Sequence, residues 1–290
     1  MILEYKPDIV VVQGDTATAF VASLVSFYNR IPVAHVEAGL RSYNIYNPFP
    51  EEAYRRFISV ISSLNLAPTR KAKENLIKEG IKEESILVTG NTIVDAVYWI
   101  SKDVSDIISD KRIILVTAHR RENWGEPMRE LVLAIKELTG MFSDIRFVIP
   151  LHKNPLVRET FSSILSEEGR VDLIEPLDYP SLIRVMKSSF LILTDSGGIQ
   201  EEAPTFGKPV LVLRETTERP EGIEKGVAKL IGMRKENIVN NVKALLTDES
   251  LYLAMSKAGN PYGDGNAGRR VIKAIMYFLG MGSKPDEFES

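Results

Sequence analysis

The 290-residue chain has no cysteine, which excludes disulfides, thiolate metal centres, iron–sulfur clusters and a cysteine nucleophile, and says little of compartment. It lacks an apolar run of the roughly 18 to 20 residues that a bilayer span requires, and its opening segment lacks the layout of a signal peptide. The expectation is a cytoplasmic chain that does not engage a membrane. Excess positive charge is also missing: 36 Lys and Arg stand against 39 Asp and Glu, a net charge of -3. No bulk field for nucleic acid follows, and a phosphate-bearing ligand has to be met by a local site. No glycine-rich dinucleotide fingerprint follows a strand, and no P-loop pattern occurs, so a tightly bound nicotinamide and P-loop phosphoryl transfer are both disfavoured. The three histidines, His35, His119 and His152, show no helical ligand spacing; neither a zinc site nor any other metal or cofactor is expected.

What is present is 44% hydrophobic residue content, arranged as short β-branched runs alternating with amphipathic stretches. That is the pattern of repeated βα units around parallel sheets. Strands are expected near 8–13, 31–36, 64–67, 85–89, 111–117, 145–150, 171–174, 189–194, 208–213 and 227–231. Helices should fill 17–29, 49–63, 70–79, 92–107, 126–139, 155–166, 179–187, 197–206, 234–246, 249–258 and 267–280. Ten strands exceed one comfortable sheet. A division near 90–110 leaves about four strands before it and six after: a domain over 1–92 and a second over 93–266.

In open parallel sheets, ligands bind beyond the carboxyl ends of the strands. The residues there are polar: Gly14-Asp15-Thr16, His35 to Arg41, His119 to Asn123, His152-Lys153-Asn154, Asp195 to Gly198, and Arg214 to Glu221. Ser196-Gly197-Gly198, between a buried strand and a helix, offers a hydroxyl and bare backbone N–H groups to an anion; a tight turn in which glycine only relieves backbone strain is the alternative. Glu201 and Glu202 follow one turn later, where a carboxylate can accept from ribose hydroxyls or merely face solvent. Asp15, Glu37 and Glu51 are acid/base candidates, because crowded carboxylates raise one another's pKa. Taken singly, Asp15 could shape a turn and Glu51 favour a helix start. His119 can carry a proton, face a phosphate or cap a helix, and Arg120, Arg121, Arg214 and Arg219 can grip phosphate or solvate a surface.

Together, QGDTATA (13–19), HVEAGLRS (35–42), PFPEEAYRR (48–56), TGNTIVDA (89–96), VTAHRREN (116–123), LHKNPLVRE (151–159), LTDSGGIQEEAPTFGKPVLVLRETTERPEG (193–222) and NPYGDGNAG (260–268) resemble the non-hydrolysing UDP-N-acetylglucosamine 2-epimerases, in order and spacing. The resemblance implies a GT-B-type α/β architecture: two Rossmann-like domains with a cleft between them, the helix at 267–280 crossing back to the first. It implies interconversion of UDP-N-acetylglucosamine and UDP-N-acetylmannosamine without an external cofactor, through loss of UDP to a 2-acetamidoglucal and its re-addition. It also implies a homodimer and a place in surface-polysaccharide synthesis. By motif match, Asp15, Glu37, Glu51 and His119 correspond to the catalytic groups; Ser196, Gly197, Gly198, Glu202 and Arg219 correspond to contacts with UDP. Leu177 and Leu182 stand where the family has a polar and an aromatic residue near the uracil. In the family pattern roughly 80 residues, carrying a Gly-Thr-Arg-Pro-Glu loop and the initial βα units, stand before the position of Tyr5; the first domain of this chain is expected to lack them, and the corresponding expectation is weak UDP binding with impaired epimerisation. A GT-B glycosyltransferase, a non-catalytic UDP-binding remnant and a hydrolysing epimerase are the competing readings.

Overall fold

The computed structural model describes residues 2–289. Two compact units emerge, Met1–Ala96 with Pro261–Ser290, and Val97–Asn260. The first contains α1 (Ile2–Tyr5), β1 (Val10–Gln13), α2 (Ala17–Tyr28), β2 (Val33–Val36), α3 (Glu51–Ile61), β3 (Leu64–Ala67), α4 (Arg70–Lys78) and β4 (Ile86–Val88); the division falls within α5 (Thr92–Ser101). The second contains β5 (Arg112–Thr117), α6 (Glu126–Met141), β6 (Ile145–Pro150), α7 (Pro155–Leu165), β7 (Val171–Ile174), α8 (Tyr179–Ser188), β8 (Ser189–Thr194), α9 (Gly197–Glu202), β9 (Val210–Val212), α10 (Pro220–Lys225), β10 (Ala228–Leu230), α11 (Lys235–Thr247) and α12 (Glu249–Ser256). The chain then re-enters the first unit with α13 (Ala267–Phe278).

Both sheets are parallel, ordered β1-β2-β3-β4 and β10-β9-β8-β5-β6-β7. In the larger, period-two alternation sorts each strand to two covers. Ile114, Phe147, Leu191 and Leu193 face a cluster with α6, α7 and α11; Ile113, Leu115, Val148 and Ile192 face one with α8 and α9. Burial on both faces is why these strands read as unbroken apolar runs. In the smaller sheet, Ala34, Val36, Leu64, Leu66 and Leu87 pack on Val271 and Ala274 of α13. That helix is fastened at its start by Asp95, whose carboxylate accepts from the N–H groups of Ala267 and Gly268 at 3.0 and 2.9 Å. The opposite face packs on α2, α3 and α4 through Ala19, Ile58, Ala72 and Leu76. At the β1 edge Val11 is 49% exposed, and Val21, Phe27, Tyr28, Phe57 and Val60 are exposed on α2 and α3.

All ten expected strands form. The helix expected over 92–107 ends at Ser101 instead. Beyond it Asp103, Ser105 and Asp106 favour irregular backbone, and other groups take up its polar atoms. Lys187 Nζ donates to the carbonyl of Val104 at 3.2 Å, and Ile107 N–H donates to Ser188 Oγ at 2.8 Å. The helix expected over 197–206 is α9 plus a 3-10 turn at Ala203–Phe206, since Pro204 has no N–H for an α-helical bond. α10 was not expected; six residues are too few to show a period, though Pro220 at its first turn and left-handed Gly226 just past its end are start and stop signals. Among the described residues no helix is long and apolar enough to cross a membrane.

Candidate active site

In the first unit, Asp15 follows β1 and Glu37 follows β2, so the parallel register of Gln13 with Val36 brings their loops to the same sheet end. Glu37 is in the left-handed region, φ 66, an uncommon conformation for a residue with a Cβ. Its carboxylate lies over Gly14: a Cβ there would sit 3.9 Å from Glu37 Oε2. Gly39 is required by close approach, a Cβ there falling 2.2 Å from the Ala72 carbonyl oxygen. Asp15 accepts from Arg55 Nε of α3 at 2.7 Å. Glu51 opens that same helix. The structure thus places Asp15, Glu37 and Glu51 on loops and a helix start of one unit.

These positions rest on buried charge. Glu52, fully buried, accepts from the N–H groups of Ser42 and Tyr43 at 3.0 and 3.2 Å and from Arg55 at 3.4 Å. Arg41 binds Glu79 and Ser59. His35, wholly buried, donates its Nε2–H to the carbonyl of Gly14 at 2.8 Å. Burial, aided by the charges of Arg41 and Arg55 and opposed by that hydrogen bond and Asp15, lowers its pKa to about 4, so it is a neutral strut beneath Asp15.

In the second unit a cavity of about 340 Å³ is lined by Thr117, His119, His152, Leu177, Tyr179, Leu182, Ser196, Ile199 and Glu202, among others. The turn from β8 into α9 forms part of its wall. Gly197 and Gly198 do not have positive φ; they are needed for space. A Cβ on Gly197 would lie 2.9 Å from the guanidinium carbon of Arg219, and one on Gly198 3.0 Å from Glu202 Oε1. Ser196 caps no N–H of α9 with its side chain. Glu202 accepts from the Tyr179 hydroxyl at 2.9 Å. Burial, helped by the nearby charge of Glu201 and resisted by that hydrogen bond, pushes the Glu202 carboxyl up to about 7. Burial likewise raises the Tyr179 hydroxyl.

Arg219 is buried behind the turn, donating to Glu201 at 2.8 Å and to Glu218 at 2.6 Å. Burial raises the Glu201 carboxyl against the pull of Arg219. For Glu218 burial also acts upward, but Arg219 and Arg214 together overcome it and hold the carboxyl at about 2. Arg214 is thereby committed to Glu218 at 2.8 Å, Arg120 donates to the Asp195 carbonyl at 2.9 Å, and Arg121 lies over Trp124. The rings of His119 and His152 stack with centroids 5.9 Å apart. His152 Nδ1 accepts from Asn154 N–H at 3.2 Å.

Sequence reasoning passed over Glu52 and Arg55, although Glu52, Arg55 and Arg56 stand at the i, i+3 and i+4 spacing of a helical ion-pair face. It passed over Tyr179, and it placed Asp195 only among the polar residues that follow strands. Asp195 turns back to accept from His119 and Arg120 N–H groups at 2.9 Å each. Among the described residues no group of three His, Asp or Glu is arranged to hold a metal ion.

One parallel α/β unit thus carries Asp15, Glu37 and Glu51 on loops and a helix start, and the other a largely apolar cavity, edged by His119, Ser196 and Glu202, beside a Ser-Gly-Gly turn. A sequence profile described as UDP-N-acetylglucosamine 2-epimerase matches residues 1–276. UDP-N-acetylglucosamine 2-epimerase of Bacillus subtilis is 50% identical over 98% of this chain and 77% of its own length, and that of Escherichia coli K12 is 46% identical over 95% and 77%. Staphylococcus aureus MnaA solved with UDP superposes with a TM-score of 0.95 at 49% identity, over 99% of this chain and 80% of that one. The Neisseria meningitidis enzyme bound to UDP-GlcNAc gives 0.90 at 45%, over 95% and 78%. The chain belongs to the UDP-N-acetylglucosamine 2-epimerase family.

Proposed function

We propose that this chain interconverts UDP-N-acetylglucosamine and UDP-N-acetylmannosamine. The observation that carries the reading is the convergence of His119, Ser196 and Glu202 on one cavity in a chain of this family. In this reading Ser196, Gly197 and Gly198 receive the diphosphate and Glu202 the ribose hydroxyls, with the Leu177 and Leu182 side chains against the uracil. Arg219, packed against Gly197, supports the anion end of the site.

The proton on carbon 2 of an acetamido sugar is barely acidic, so its direct removal is unfavourable. Elimination avoids the free carbanion. A base takes the carbon-2 proton as the carbon 1–oxygen bond breaks, the electron pair of that bond leaving on the diphosphate oxygen. The 2-acetamidoglucal so formed is protonated at carbon 2 on the opposite face, and the diphosphate oxygen re-forms its bond to carbon 1. Such a sequence needs acid/base groups for both faces and a firm hold on the departed UDP. Asp15, Glu37, Glu51 and His119 supply the former; the cavity of the second unit supplies the latter. The reading extends, on the family resemblance, to a cytoplasmic homodimer. Neither the comparisons nor the fold supports the glycosyltransferase alternative or an impaired activity.

The test is incubation with UDP-N-acetylglucosamine in deuterated water, followed by proton NMR. The expected outcome is UDP-N-acetylmannosamine together with deuterium at carbon 2 of both sugars. An unchanged substrate, or free UDP with free N-acetylmannosamine, would overturn it.

A further inference from the structure

We infer that Asp195 is a positioning residue for His119, fixing its ring proton on Nδ1 and leaving Nε2 as the nitrogen that exchanges a proton. The inference rests on the reading of His119 as a reacting group. Asp195 directly follows β8 and has none of its surface exposed. Its Oδ2 is saturated: it accepts from the N–H groups of His119 and Arg120 and from Asn123 Nδ2, each at 2.9 Å. Its Oδ1, equally buried, has no hydrogen-bond partner and lies 3.4 Å from His119 Nδ1.

A buried carboxylate oxygen without a donor is costly. An Nδ1–H meets that need with a small turn of the half-exposed ring, whereas a bare Nδ1 would set one lone pair against another. The peptide around His119 is clamped as well, since Trp124 Nε1 donates to the His119 carbonyl at 3.2 Å and Arg120 Nε to the Asp195 carbonyl at 2.9 Å. The ring is therefore the mobile part of the assembly, and Oδ1 is the group that orients it. A carboxylate behind a histidine fixes tautomer and direction in this way whenever the other nitrogen has work to do.

Asp195→Asn tests the assignment. The amide oxygen still accepts the three N–H groups at the Oδ2 position, and the amide nitrogen replaces Oδ1 as a donor, so His119 Nδ1 becomes an acceptor. With three histidines in the chain, nitrogen-15 spectra above pH 8 are readily assigned by comparison with His119→Ala. The expected result is the Nδ1–H tautomer of His119 in the parent protein and the Nε2–H tautomer in Asp195→Asn. Turnover by Asp195→Asn should fall roughly 100-fold, UDP affinity should change by less than about threefold, and the substitution should add nothing to His119→Ala. An Nε2–H tautomer in the parent, an unchanged tautomer in the variant, UDP affinity lost in step with turnover, or additive effects would each overturn the proposal. Should the parent protein not epimerise at all, the proposed function fails while the tautomers still decide the pairing. Should the variant not fold, the parent spectrum decides it.

Discussion

The two units position their chemistry by different means. In the first, the loops after β1 and β2 rest on charges at helices: Arg55 of α3 on Asp15, Glu52 of α3 on the turn at Ser42–Tyr43, and Glu79 at the end of α4 on Arg41. Its sheet has four strands and its helices α2 and α3 leave apolar side chains exposed. In the second, a six-stranded sheet is covered on both faces by large apolar clusters, and the polar groups behind the cavity form a compact Glu201–Arg219–Glu218–Arg214 chain. The contrast teaches where folding and function are coupled. The same buried charges that hold the loops of Asp15 and Glu37, the proposed acid/base groups, also tie the first unit's helices to its sheet, whereas the second unit's cavity turn sits beside large apolar clusters.

The largest effect should therefore come from Glu52→Ala. It strips two backbone N–H groups and an arginine of a buried partner, a loss of about 3 to 5 kcal/mol, read as a lowered denaturant midpoint. A value near zero would break the comparison. Gly197→Ala should act chiefly on binding in the second unit. The added methyl meets a guanidinium pinned by two carboxylates, so calorimetry should show UDP affinity down roughly tenfold or more, with a stability loss of about 1 to 3 kcal/mol, smaller than that of Glu52→Ala.

Two pH effects of opposite sign should sharpen the contrast. His35 has a folded pKa of about 4 against an ordinary 6.5, so the folded state binds fewer protons between them. Its contribution is complete above pH 6.5 and is lost as pH falls toward 4, amounting to about 1 kcal/mol by pH 5.5. His35→Gln, which keeps an N–H for Gly14, should flatten that window in denaturant titrations. Glu202 has a folded pKa of about 7 against an ordinary 4.5, so its folded state binds more protons in between and stability falls as pH rises through that interval. Since ribose hydroxyls favour the ionised carboxylate, the UDP-affinity advantage of the parent protein over Glu202→Gln should widen a few-fold from pH 6 to pH 8. An advantage independent of pH would remove Glu202 from the ribose contact.

Much of the fold was legible because parallel strands read as short apolar runs, clearest where both faces are covered, as in β5 and β8, and still readable at the half-exposed β1 edge. What escaped was set by tertiary contact. The end of α5 depends on Lys187 and Ser188 taking over the backbone atoms of the following segment, and α10 is too short for periodicity. The candidate cavity was legible as polar residues following strands, and Ser196 and Glu202 do line it. The supporting residues were not. Glu51 and Glu52 are adjacent in sequence, yet only Glu52 is fully buried. That difference is decided by which face of α3 meets the sheet. Asp195 was legible only as a polar residue after a strand, because its anchoring role depends on the return of residues 119–123 to it.

The proposed function divides the labour between first-unit carboxylates in acid/base work and a second-unit cavity that holds UDP. Glu37→Gln tests it most directly, through carbon-2 deuterium exchange and UDP calorimetry on the same preparation. Exchange is expected to fall by about 1,000-fold or more while the UDP dissociation constant stays within about twofold. Exchange at the parent rate, or UDP affinity lost in proportion to exchange, would contradict it.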